Sequence, residues 1–301
     1  EIAALTNQGL RLPKMEYIHD TIQNGVPLSI EIQDPDLCSR YSGAIIRNVT
    51  IKESPEWLKD RLKKTGLNPI NNIVDVTNFV MYELNQPMHA FDFNTIPDGL
   101  VTIRRATAEE PLTLLDGQSL KLDTETLVIA DHEKPIALAG IMGGQITQIT
   151  DNTTDILLES ASFDGFNNRQ SSDKYRTKTD ASIRFEKSLS PALPILALNR
   201  AIDLITNMVE DSYVGAYLDI DTNPEREPLK IKLTSSKISS VLGMEIELCK
   251  CVKILNSLGL ESVDDTDKSL TCKVPYSVSY THLRAHETDS YLVCRLMLEK
   301  K

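Results

Sequence analysis

Two stretches of the chain put polar and glycine residues where packing would favour apolar ones: Asn68 to Phe93, NPINNIVDVTNFVMYELNQPMHAFDF, and Ala137 to Gly144, ALAGIMGG. In the first, Thr77 falls on the apolar stripe of an expected helix, Asn78 follows it, and His89 comes two residues after Pro87. In the second, Ala139 and Gly140 precede the pair Gly143-Gly144, where the absence of a Cβ lets backbone approach a ligand closely. Glu159 stands in the otherwise apolar run DILLES. A histidine and an amide can hold and orient a water, and a carboxylate can accept a hydrogen bond from a ligand. That equipment suits attack by water better than attack by a side chain: Ser160, Ser162 and Ser182 lie near these motifs, but no His-Asp arrangement pairs with them. Each residue also has a plain reading. A histidine after a helix is commonly structural, Glu159 could face solvent on an edge strand, the glycine pair could end a strand in a turn, and Thr179 or Asp180 in RTKTDAS could cap a helix.

The elements that must position these groups are legible from periodicity. Leu28 to Ile32 and Ala44 to Val49 read as strands. Ser54-Pro55 supplies a capping hydroxyl and a proline for the first helical position, Gly66 a stop, and Trp57, Leu58 and Leu62 inward anchors. Over residues 72–84, Ile73, Thr77, Val80 and Leu84 share one helical face. Pro87 is expected to end that helix and deliver His89 into a loop. Strands follow at VTIRR, LTLL, SLKL, LVIA, IALAG and DILLES, with Asp116-Gly117 as a hairpin turn between LTLL and SLKL. A long helix spans Ala192 to Val209, and Asp219 to Pro228 reads as a linker. Beyond it come a strand at Leu229 to Leu233, helices at Ser235 to Leu242 and Cys249 to Leu258 stopped by Gly243 and Gly259, and a strand at Ser269 to Val274. That order suits a helix-turn-helix or winged module, though it is generic.

At 301 residues the chain suggests about two domains. With 41% hydrophobic but only 5% aromatic residues, the core must be built mainly from Ile, Leu, Val and Ala. No apolar run approaches the ~20 residues of a membrane helix and no signal peptide precedes Glu1, so a soluble, cytoplasmic protein is expected, without membrane partners. The start at Glu1, in what reads as mid-helix, suggests a fragment. Five cysteines without a CxxC pair suggest reduced thiols. His282 and His286 have zinc-finger spacing, but Cys272 and Cys294 fall on opposite sides of them, so no metal site is expected. The net charge of −11 weighs against a surface that grips a long nucleic-acid backbone, so any RNA contact should be local.

From about Ile30 to Met208 a series of blocks follows in order: DPDLCSRYSGAIIRNV, SPEWLKDRLKKTGLNPINNIVDVTNFV, the histidine segment, RRA, LDG, LVIAD, ALAGIMGG, DILLESASFD, RTKTDASIRFEKSL and LALNRAIDLI. Their order and spacing resemble the editing domain of bacterial phenylalanyl-tRNA synthetase beta subunits. Two departures are Asn68-Pro69, where the family commonly has Arg-Pro, and FEKSLSP at Phe185 to Pro191, where it has FERGVDP. The resemblance implies an α+β fold: a mixed-sheet editing domain flanked by helices over residues 30–218, then a small, truncated winged-helix-like module over 229–275. Residues 1–29 would be the C-terminal end of an upstream domain. Residues 277–301, from Ser277 onward, do not fit the family pattern and read as an aberrant tail, such as read-through joined to a truncated gene, expected to pack poorly.

What the resemblance implies chemically is hydrolysis of mischarged tyrosyl-tRNA, within an enzyme that ligates phenylalanine to its tRNA. A hydrophobic pocket rejects an analogue that merely adds a hydroxyl by only about 100-fold, whereas a site that hydrogen-bonds the hydroxyl discriminates by about 10⁴–10⁵. Glu159 matches the family's tyrosine-recognising glutamate. Ala139 and Gly140 match its substrate-lining backbone, and Thr179 and Ala181 match positions along the tyrosine ring. His89 and Asn78 fall where a water would be held, and Thr77 where the terminal ribose would be positioned. Neither metal nor organic cofactor is implied for this fragment, while the whole enzyme is expected to use ATP and magnesium. Implied partners are the tRNA 3′ end carrying the amino acid and a separate alpha subunit. Two rival readings are a non-catalytic scaffold with a decayed pocket and a nucleic-acid-binding module at 229–275, whose second helix offers only Lys250 and Lys253 as cations.

Overall fold

The structure, a computed structural model, describes residues 2–13, 27–227, 229–266 and 269–275. The expected tail at 277–301, with His282, His286 and Cys294, lies outside the described residues, as does most of the segment before Pro27. The chain divides into two compact units, Lys14–Asn223 and a second made of Glu1–Pro13 with Pro224–Lys301.

After α1 (Ile2–Thr6), the larger unit runs β1 (Ser29–Ile32), β2 (Cys38–Arg47), α2 (Glu56–Lys64), α3 (Asn72–Leu84), β3 (Met88–Asp92), β4 (Leu100–Arg105), β5 (Glu110–Thr113), β6 (Ser119–Leu122), β7 (Leu127–Ala130), β8 (Pro135–Leu138), β9 (Met142–Gly143), β10 (Ile156–Phe163), α4 (Gly165–Tyr175), α5 (Asp180–Phe185), α6 (Leu193–Met208) and β11 (Tyr213–Asp221). Besides the two-stranded β5-β6 hairpin, two larger sheets result: an antiparallel one ordered β11-β2-β10-β3, and a mixed one ordered β1-β4-β7-β8-β9 in which only the β1–β4 pairing is parallel. The fold is mixed α+β.

Strand alternation sorts the side chains of β10 into two layers. Leu157, Ala161 and Phe163 join Tyr41, Ile45 and Phe91 in a core shared with Ile30, Ile103, Ile129 and Ile136 of the mixed sheet. Ile156 and Leu158 face the other way, onto α2, α3 and α6 through Leu58, Leu62, Ile73, Val76, Val80, Ala197 and Ile202. The β5–β6 hairpin closes over the far side of the mixed sheet with Leu112, Leu114, Leu120 and Leu122.

The polar start of the first motif is structural. Asn71 caps α3 by accepting from Ile73 N and Val74 N. Asn72 donates to Thr50 O and accepts from Lys52 N. Asp75, fully buried, accepts from Ser54 Oγ at 2.6 Å and from Ile70 N at 2.8 Å. Ser54 therefore serves Asp75 instead of capping α2, whose N-cap is Pro55 without a side-chain bond. Leu58 and Leu62 point inward, but Trp57 is 47% exposed and lies edge-on to Phe79. Helix α3 stops at Asn85 in the left-handed region, before Pro87, and His89 sits in strand β3, not in a loop. The expected linker from Asp219 begins inside β11, where Asp219 accepts from Arg40 and Ser42.

The second unit contains β12 (Lys230–Thr234), α7 (Ser235–Leu242), α8 (Leu248–Ser257), β13 (Glu261–Thr266) and β14 (Ser269–Lys273), with sheet order β12-β14-β13. Thr234 caps α7 by accepting from Lys237 N, and Gly243 ends it at φ +66°. Ile238, Cys251, Leu255, Leu270 and Cys272 form its core. Cys38, Cys249 and Cys251 are free thiols.

Candidate functional site

Because β10 is a central strand with β3 on one side and β2 on the other, Glu159 cannot be an edge residue. Its register partners are His89 on β3 and Gly43 on β2. By alternation Glu159 and His89 share the inner face with Leu157, Ala161 and Phe91, so the two polar side chains stand side by side against the mixed sheet. Between the sheets lies a cavity of about 60 Å³, lined by Pro87, Met88, His89, Ile129, Ala137, Leu138, Gly140, Ile141, Met142, Gly143, Glu159, Ala181 and Phe185. One water needs roughly 10–15 Å³ by this measure, so the space suits a few waters or a group the size of a side chain.

Burial sets the charge state of both groups. Glu159 is 6% exposed, no described group donates to its carboxyl, and desolvation pushes its pKa up to about 8. His89 is lowered to about 4 by the same cause, and its Nε2 is sealed from solvent without a partner. At neutral pH the imidazole is uncharged and the carboxyl is largely protonated. The pair can exchange hydrogen bonds with a ligand or water but brings little net charge.

The glycine motif makes room for this arrangement. A Cβ at Gly143 would collide with the His89 ring, so this backbone packs directly on the imidazole. Gly140 has φ +68°, and a Cβ there would meet Asn168 and Phe163. Asn168 Nδ2 donates to Ala139 O at 3.2 Å, fixing the turn. Thr179 Oγ1 donates to Ile141 O at 2.8 Å and accepts from Ser182 N in a capping box that starts α5. The cap thus ties α5 to the glycine segment and sets Ala181 and Phe185, four residues apart on one helical face, against the cavity.

Of the residues singled out by sequence, the cavity brings together His89, Gly140, Glu159 and Ala181. Thr77, Asn78, Ala139 and Thr179 are not among its lining residues. Thr77 Oγ1 donates within its own helix to Val74 O, Asn78 is half-buried on α3, and Ala139 is buried with its carbonyl held by Asn168. Sequence reading missed Phe185, Met142 and Ile129. For Phe185 a signal existed, the four-residue step from Ala181, but a six-residue helix is too short to show a period. Among the described residues no group of three or more His, Cys, Asp or Glu could hold a metal, and no helix is long and apolar enough to cross a membrane.

The B3/4 domain family matches residues 37–210. The chain is 41% identical over 293 residues to the phenylalanine–tRNA ligase beta subunit of Carboxydothermus hydrogenoformans, covering 97% of this chain and 36% of that one. It is 39% identical to the beta subunit of Symbiobacterium thermophilum (89% and 30% covered) and 40% identical to that of Syntrophus aciditrophicus (87% and 32%). These relatives are the proteins its motifs resemble, and the chain spans about a third of their length. An N-terminal fragment of the phenylalanyl-tRNA synthetase beta-subunit from Pyrococcus horikoshii superposes with a TM-score of 0.42 at 13% identity, over 92% of this chain and 75% of that one. The family match spans more than half of the chain and falls on the two-sheet unit that holds the cavity: this protein belongs to the B3/4 domain family.

Proposed function

We propose that the larger unit is an editing domain that hydrolyses the ester of tyrosyl-tRNA mischarged on a phenylalanine tRNA. The observation that carries this reading is the pairing of Glu159 with His89 on the inner face of two adjacent strands, both lining one cavity, with no donor on the carboxyl among the described residues. A phenolic O–H entering the cavity would donate to Glu159, either to its carbonyl oxygen or to the carboxylate. A phenylalanine ring would leave that group unpaired, and a site built to pair a hydroxyl discriminates strongly by this route. Ala181 leaves room for the ring, and the backbone at Gly140 lines its path.

His89, neutral at physiological pH, orients the attacking water, while Asn78, Thr77 and Thr179, which lie outside the cavity lining, would act only on the parts of the substrate that extend beyond it. Water adds to the ester carbonyl and the bond to the ribose oxygen breaks. The products are free tyrosine and a tRNA 3′ end with its hydroxyl restored. A ribose hydroxyl of the substrate can assist the proton transfers. In the whole enzyme this unit would work beside an alpha subunit that carries ATP- and magnesium-dependent activation of phenylalanine.

The test is deacylation of tyrosyl-tRNA and phenylalanyl-tRNA by this chain, with a short aminoacyl ester run beside them. Glu159→Ala should lower the tyrosyl rate at least tenfold and erase the preference for tyrosine, and His89→Ala should slow both esters. Equal, slow loss of both esters in the parent and in every variant, on tRNA and on the short ester alike, would leave a non-catalytic scaffold as the correct reading.

A further inference from the structure

The inner face of the antiparallel sheet holds a second polar group that the proposed mechanism does not use. Tyr41 on β2 is fully buried in the inter-sheet core, and its hydroxyl has no hydrogen-bond partner. Buried hydroxyls are seldom left in this state, and each exception asks for a reason. The register supplies one. Tyr41 stands opposite Ala161, and Gly43 stands opposite Glu159, so Tyr41 and Glu159 are diagonal neighbours on adjacent strands and on one face. Diagonal positions lie within reach of aromatic and long side chains. Gly43 offers no side chain to separate them, and the small Ala161 leaves space for the ring.

The two groups are complementary. Tyr41 carries an unused O–H, and Glu159 carries acceptor oxygens to which no described group donates. The other titratable groups facing Glu159 are few. On β2 the Cys38 thiol already donates to Arg40 O at 3.5 Å, and on β3 there is His89. The cavity residues from β7, β8, the 140–143 segment and α5 include no titratable side chain. Ser160 also has a hydroxyl without a partner, but by strand alternation it faces the other side of the sheet, so Tyr41 is the uncommitted hydroxyl on the carboxyl's own face among the described residues.

We propose that Tyr41 is a positioning residue for Glu159: when the carboxyl ionises with the cavity free of ligand, a side-chain rotation brings it to the Tyr41 hydroxyl, which donates to it. The protein thus holds an internal phenol of the same chemical kind as the ligand hydroxyl that Glu159 is proposed to sense. A ligand phenol then replaces like with like. The ligand half of this inference rests on the proposed function, whereas the Tyr41–Glu159 bond does not. Burial and the neighbouring Glu159 charge both raise the Tyr41 pKa, so the phenol stays protonated and remains a donor throughout the range in which Glu159 titrates.

The test needs no ester. Between roughly pH 6 and 9 ordinary carboxyls are ionised, so a protonated-carboxyl infrared band that is present in the parent chain and absent from E159Q reports Glu159. In Y41F the midpoint of that band should rise by about one pH unit or more, because the ionised form loses a charge-assisted donor. An unmoved midpoint would overturn the proposal, since a hydroxyl that only fills space can be removed without effect on the carboxyl. A second measurement leaves Tyr41 in place. The tyrosine near-ultraviolet band of the parent chain should shift to longer wavelength as Glu159 ionises and should not shift in E159Q; the same spectrum in both would also overturn it. A shifted midpoint in a chain that hydrolyses neither ester would keep this bond and discard the editing reading.

Discussion

Glu159 has a consequence that can be measured without any substrate. Its carboxyl is raised from 4.5 to about 8 by desolvation, so the folded state holds this proton more tightly than the unfolded state does. The stability tied to that proton is complete below about pH 4.5 and drains away as pH rises through 8. His89 acts in the opposite sense: lowered from 6.5 to about 4, it contributes stability above 6.5 that is lost as pH falls toward 4. The histidine contribution is common to the parent and E159Q, so their difference isolates the glutamate. E159Q should match the parent in denaturation midpoint near pH 4.5 and exceed it progressively above, by roughly 3–5 kcal/mol at pH 9. Parallel midpoint curves for the two proteins across that range would mean that the carboxyl is solvated. Residue pattern alone could not show the pair, since Glu159 and His89 are far apart along the chain and become neighbours only through the β3–β10 register; the family resemblance alone set both in one pocket.

Among the elements, α5 shows how much a short helix depends on its start. It has six residues, and its first turn is held by the Thr179–Ser182 capping box together with the Thr179 bond to Ile141 O. Thr179→Ala removes the cap and the tie to the glycine segment at once, at a cost of about 1–2 kcal/mol, and frees the wall formed by Ala181 and Phe185. Thr179→Ser keeps the hydroxyl and should restore most of the loss. Urea midpoints of the three proteins decide this, and an unchanged midpoint in the alanine variant would assign Thr179 to ligand contact alone. Long periodic elements were legible beforehand: α3 has the bounds its apolar face predicts, and Asp116-Gly117 does turn between β5 and β6. The start of α5 was also legible, as a helix cap at Thr179; the elements that escaped were β3, β9, α4, β11 and β13. Helix α4, GFNNRQSSDKY, buries mainly small and polar residues and shows little apolar period. Strand β11 ends in acidic residues that look like linker until Arg40 pairs with them. The same pairing of polar partners explains much of the NPINN motif, where Asn71, Asn72 and the following Asp75 bind loops and helix termini that sequence cannot place in advance.

At the scale of the whole chain, the two units differ in the means by which they are stable. The larger has three apolar clusters around its sheets, whereas the smaller has a single one, with Ile238, Cys251, Leu255, Leu270 and Cys272 at its centre. A core of that size rarely supplies more than about 3–5 kcal/mol. The free thiol at Cys251 adds no cross-link to it. No buried residue appears in both the small cluster and the large ones, so calorimetry should resolve two unfolding transitions, the smaller unit first. Leu270→Ala should lower the first transition by the equivalent of about 2–5 kcal/mol and leave the second in place. E159Q should do the reverse at alkaline pH, raising only the second. A single transition moved by both substitutions would show that the units unfold as one, and the stability of the inter-sheet cavity would then depend on a module that contributes no residue to its lining.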